Sequence, residues 1–196
     1  SAQTINLPMV LSGVRTIYGS NTDFTVNGLL SGPGGLYLDV TNKTVRLTAN
    51  NTYEGPTTVT NGLLYITHGN ALGSTASGTR IYGRGNGALK VGGGIEVPEP
   101  IVMVGQILPW HPNLVGGTGS NVFSGPVTKE IDARISVDGG ANTLVFAGGI
   151  KHLSGGTMAL NHNPGAKLII ANKPIDFGSS AGVLAEQGGL VIFAVP

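Results

Sequence analysis

Residues 36–73 read LYLDVTNKTVRLTANNTYEGPTTVTNGLLYITHGNALG, and in them Leu36, Leu38 and Val40, then Val45 and Leu47, then Thr57 and Val59, then Leu64 and Ile66 fall on alternate positions. Period-two patterning of this kind marks strands with one buried face. Each run offers only two or three inward residues before Gly, Asn or Thr interrupts it, and so short a strand cannot bury a face alone. Successive runs must lean on one another edge to edge. Inward Leu, Ile and Val then line up in columns, and Gly and Asn take the corners, where positive φ is needed.

Beyond this stretch the same text continues in looser form. Ile5, Leu7 and Met9 alternate across Pro8, which a central ladder position does not tolerate, so the first strand is expected at an edge or capping end. Strands are expected at 15–18 and 24–30, before the turn Ser31-Gly32-Pro33-Gly34-Gly35. Asn113 to Gly125 repeats the pattern of Asn50 to Gly55 with Phe123 in the place of Tyr53, and Gly125-Pro126-Val127-Thr128 echoes Gly55-Pro56-Thr57-Thr58. Further alternations follow at 144–149, 153–160 and 168–171, ending in the apolar run 190–195. Glycine interrupts nearly every window with helical spacing, so no helix is expected. The fold class is therefore all-β, a single β-solenoid domain over 1–196 or a piece of a longer one. At about 20–25 residues per coil and about 4.8 Å between coils, it would have about eight or nine coils and be about 40 Å long.

The spelling of the central stretch also carries a resemblance. Leu47, Asn51, Tyr53, Gly55, Thr57, Val59, Gly62, Leu64 and Ile66, closing with Ala71, Leu72 and Gly73, resemble the autotransporter passenger-associated β-strand repeat. The preceding NGLLSGPGGL (27–36) resembles the block that comes just before it in that family. The resemblance is closest over 29–73 and loose over 113–160. It implies a single-stranded right-handed parallel β-helix, extracellular or on a bacterial cell surface, without a fixed enzymatic activity. Passengers cross a membrane unfolded, so the resemblance also implies few cysteines, and this chain has none.

Composition narrows the function classes. Of 196 residues 33 are Gly and 11% are charged, and net charge is +1 with basic residues scattered singly. That leaves no electrostatic footprint for nucleic acid or an anionic membrane. Mean hydropathy is +0.20, yet no apolar run approaches the roughly 18 residues of a membrane helix. Absence of cysteine excludes a disulfide scaffold and thiolate metal sites. No signal peptide is visible at the start, which fits a removed leader, a cytosolic protein or a fragment.

The densest polar constellation is KEIDARISVD (129–138), read as one strand with Ile131, Ala133, Ile135 and Val137 inward and Glu130, Asp132, Arg134, Ser136 and Asp138 outward. Such a row fits either a solvated outer face with weak charge pairs or a glycan contact. Glycosidase chemistry needs two carboxyl groups roughly 5–9.5 Å apart across a groove. Glu130 and Asp132 share a face, but no second cluster or aromatic subsite accompanies them, so no catalytic residue is assigned. Glu96 and Glu99 straddle Pro98 and read as a polar turn.

His68, His111, His152 and His162 lack metal-like spacing and read as isolated surface residues. Gly83 to Gly87 has no strand-to-helix context and reads as a turn rather than a phosphate cradle. No cofactor or metal is expected. Trp110 and His111 stand in a proline-framed segment (97–112), read as a strand at 101–104 followed by a protruding loop. The candidate surface contacts are thus Trp110, His111, Glu130, Asp132, Arg134 and Asp138. Three functions compete: a non-enzymatic, adhesin-like surface at the cell exterior with a host or matrix glycan or protein as partner; a subunit that self-associates end to end into a filament or layer; and a glycan-binding or glycan-cleaving solenoid.

Overall fold

The computed structural model describes residues 2–19, 22–83, 85–106, 111–153, 156–177, 182–187 and 190–194. Among these residues the chain is all-β without a helix, and its parallel strands stack as a β-solenoid. No helix is long and apolar enough to cross a membrane among the described residues.

The strands fall on three faces. The first stacks Arg15–Gly19, the start of Leu36–Leu47, the start of Thr57–Ile66, Thr79–Gly83, Ile101–Gln106, Val127–Lys129, Ile150–His152 and Ile175–Asp176. The second stacks Gln3–Ile5, Phe24–Val26, the remainders of those two long strands, then Ala88–Val91, Leu114–Gly116, Ala133–Val137, Gly156–His162 and Gly182–Gln187. The third holds Met9–Val10 with Leu30–Ser31, and further along Glu96–Val97, Ser120–Phe123, Thr143–Phe146, Lys167–Ala171 and Leu190–Ala194.

Leu36–Leu47 and Thr57–Ile66 each serve two faces because they bend without breaking. The bends sit at Asn42 (φ 54) and Gly62 (φ 81), in the left-handed region where a short polar side chain or none is tolerated. Gly62 has a further constraint: a Cβ there would run into the Val40 carbonyl of the coil before.

Register lines the inward residues into columns. Leu64, Leu89, Leu114, Ile135 and Leu160 are successive partners on the second face, all fully buried. On the third face Phe123 stacks on Phe146, with ring centroids 5.5 Å apart. Parallel strands buried this way gain stability from columns rather than from any one coil, because each coil touches only its neighbours.

The solenoid makes about seven turns, not eight or nine. Steps between partners run from 19 residues, Val45 to Leu64, to 26, Ile101 to Val127. The longer coils carry corner insertions, such as the one where the Asn86 and Gly87 amides bond the Gly83 and Tyr82 carbonyls. Pro8 divides Gln3–Ile5 from Met9–Val10, and both strands are edges, each paired on one side only.

Candidate functional site

The polar row does not lie on one strand. The first-face strand ends at Lys129, a corner occupies 130–132, and Ala133–Val137 opens the second face. The corner leaves the parity unchanged, with Lys129, Ala133, Ile135 and Val137 all buried, but it turns Ile131, expected inward, out to 39% exposure, while Arg134, expected outward, is only 8% exposed. Lys129 lies wholly in the interior, where burial pushes its ammonium below the ordinary lysine range and Asp132 acts against that shift.

The three carboxylates of the row tie coils together. Glu130 takes both oxygens to the Arg80 Nη2 at 2.9 and 3.0 Å, reaching over the coil of Val102, which separates Arg80 from Thr128 in register. Asp138 meets the Lys90 Nζ at 2.6 Å, likewise over the coil of Val115. Asp132 Oδ1 accepts the Thr157 amide at 2.6 Å. On the second face Arg46, Tyr65 and Lys90 are successive outward partners, with Arg46 4.4 Å and Lys90 5.5 Å from the Tyr65 ring centre. Cations on this ring occupy the faces on which a sugar would stack.

A second polar group lies inside, and the sequence reading missed its extent. The first-face column runs Leu36, Thr57, Thr79, Ile101, so two hydroxyls interrupt an apolar series. Both are fully buried and both are satisfied. Tyr53 Oη and Thr57 Oγ1 share a hydrogen bond of 2.5 Å, and Thr79 Oγ1 donates to Glu99 Oε1 at 2.8 Å. Glu99 is 2% exposed; it is not the polar turn expected from Pro98. Burial raises its carboxyl to about 8, against a smaller opposing effect of the Thr79 bond. Burial also pushes the Tyr53 hydroxyl up. A signal was present: Glu99 stands two residues before Ile101, where Gly125 stands before its partner Val127. A carboxylate framed by prolines at a position that another coil gives to glycine has little room outside the chain.

Buried asparagines complete the interior. Asn51 accepts the Leu30 amide at 2.9 Å and donates to the Ala71 carbonyl at 2.7 Å. Asn121 accepts from the Gly94 and Ile95 amides, and Asn113 accepts from the Arg134 amide.

Of the other candidates, Trp110 lies outside the described residues. His111 is exposed and lines a 310 Å³ corner groove with Asn42, Lys43, Leu63, Asn86 and Val115. His68 accepts the Asn70 amide. His152, expected at the surface, is 1% exposed, because it shares the inward parity of Ile150. Among the described residues no group of three or more His, Asp or Glu is placed to hold a metal ion. No family model, curated protein or solved structure matches the chain.

Proposed function

We propose that this chain is a structural, non-enzymatic solenoid that extends and presents an outer surface outside a bacterial cell, in the manner of adhesin-like passengers. The observation that carries this reading is the employment of the acidic row: Glu130 and Asp138 brace alternate coils and Asp132 pins a corner, so the carboxylates with the best spacing for chemistry hold structure instead. The passenger-repeat resemblance of residues 47–73 supports the extracellular setting and a host or matrix glycan or protein as partner.

The test is a panel of acidic and neutral polysaccharides incubated with wild type, Glu130→Gln and Asp132→Asn. The expected result is no cleavage by any of the three, with the variants differing from wild type only in melting temperature. Turnover by wild type that is lost in the variants overturns the reading.

End-to-end association is the second reading, favoured by how the inward columns finish. Phe193 ends the column of Phe123, Phe146 and Ile170 and is 54% exposed, while Ile5, Met9, Ile17 and Phe24 line an open apolar mouth of 640 Å³. Such surfaces take further coils of the same chain or a second copy. Electron microscopy over a concentration series separates the two: filaments with an axial repeat near one solenoid length support self-assembly, and single short rods at every concentration remove it.

A further inference from the structure

We propose that His152 is an acid-sensitive latch, whose protonation unfastens the first-face edge at residues 150–152 and 175–177 while the other two faces of that coil and the middle coils stay closed. The ring ends the short strand Ile150–His152 and points into the solenoid, 1% exposed. Neither ring nitrogen has a hydrogen-bond partner. The ring meets Phe177 in an apolar edge approach, with centroids 4.6 Å apart at 61°. A neutral imidazole is tolerated in such a slot. An imidazolium needs two acceptors there and finds none.

The surrounding charges make the added proton worse. In register with His152, one coil earlier, stands the buried Lys129. From the coil on the other side, Asp176 follows Ile175 in the strand Ile175–Asp176. On its own strand Lys151 is exposed, and Asp132, at the corner after Lys129, is engaged by the Thr157 amide of Gly156–His162. Burial first, and Lys129 next, hold the imidazole below its ordinary value of 6.5, with Asp176 acting the other way.

The consequence is local because the attachment is slight. Three residue pairs join Val127–Lys129 to Ile150–His152, and two join the latter to Ile175–Asp176. By contrast five and six pairs hold Gly156–His162 to Ala133–Val137 and Gly182–Gln187, and four and five hold Lys167–Ala171 on its two sides, so the weak attachment is confined to the first face. Low local stability, set by few backbone pairs, is what lets one protonation open part of a structure.

Amide hydrogen exchange read by mass spectrometry tests this on the whole chain at about pH 7.5 and about pH 5. After correction for intrinsic rates, exchange over 150–152 and 175–177 in wild type is expected to rise by up to about tenfold per pH unit below pH 6.5. In His152→Phe, which keeps a ring against Phe177, it stays flat. Asp176→Asn lowers the folded imidazole further, so the onset stays near pH 6.5 while the rise continues to lower pH before levelling, which a purely structural role for His152 does not require. Should His152→Phe fail to fold, the wild-type imidazole resonance decides alone: a midpoint at or above 6.5 overturns the proposal. So does an unchanged exchange pattern in acid, an equal rise in His152→Phe, or a rise spread evenly over the chain.

Discussion

Glu99→Gln should flatten the alkaline side of the stability profile. The folded carboxyl titrates at about 8 against an ordinary 4.5, so between those values the folded chain holds a proton that the unfolded chain has released. Unfolding therefore gains with every rise in pH, by about 1.4 kcal/mol per unit. The contribution of Glu99 is fully favourable below pH 4.5, and it is lost as pH climbs to about 8. At pH 7 the loss amounts to about 3 kcal/mol, equivalent to roughly 5–10 °C in melting temperature for a chain of this size. A glutamine retains an oxygen to accept from Thr79 Oγ1 and cannot ionise. Denaturant midpoints of wild type and Glu99→Gln, followed by circular dichroism from about pH 5 to about pH 8, should converge in acid and separate toward pH 8 with the variant above. Parallel profiles, or a variant that is less stable throughout, refute the claim that a protonated carboxyl sits in this interior.

Other substitutions probe the packing. Leu89→Ala empties a fully buried position between Leu64 and Leu114, and should lose about 3 kcal/mol by a lower denaturant midpoint at unchanged slope. Asn51→Ala leaves the Leu30 amide and the Ala71 carbonyl unpaired in the interior, and should cost about 2–4 kcal/mol in the same assay. Gly62→Ala and Gly140→Ala share a positive φ, 81° and 87°. Only the first would push a Cβ into backbone, while nothing lies within 4 Å at Gly140. Thermal melts should show about 1 kcal/mol of loss for Gly140→Ala and clearly more for Gly62→Ala.

Legibility followed the strength of the local pattern. Leu36, Leu38, Val40, Val45, Leu47, Val59, Leu64 and Ile66, inward by alternation alone, are all buried, because period two leaves one assignment once a face must be covered. The alternation failed at Ile131 alone, because the corner at 130–132 is not extended strand while Ala133, Ile135 and Val137 keep the expected parity, and nothing between Glu130 and Asp132 resembles the Gly and Asn of the other corners. Lys129 and His152 were illegible for a related reason. Long or titratable side chains are assigned to the surface by default, yet both occupy inward positions that their strands fix, each two residues after a buried Val127 or Ile150. Glu99 needed register as well as pattern, since its partner Thr79 stands 20 residues earlier, in the coil before it. The surface contacts gave least, because cross-coil pairs such as Arg80 with Glu130 join residues 50 positions apart and leave no local trace.

Glu99 and His152 respond to acid with opposite signs, and the fold keeps them from cancelling. Falling pH stabilises the coil around Glu99 down to 4.5, whereas it destabilises the coil around His152 once pH drops below 6.5. In a globular core both effects would enter one cooperative unit and partly offset. Here Ile101 and Ile150 stand two coils apart on the first face, joined through Val127, and stability passes only between neighbouring coils. Acid should therefore widen the difference between middle and late coils rather than shift the whole chain. The double variant Glu99→Gln, His152→Phe supplies the check: exchange over 79–101 and over 150–152 with 175–177 should both lose their pH dependence, and the contrast between the two regions should be the same at about pH 5 as at about pH 7.5. A contrast that still grows in acid in the double variant places the pH response in other groups.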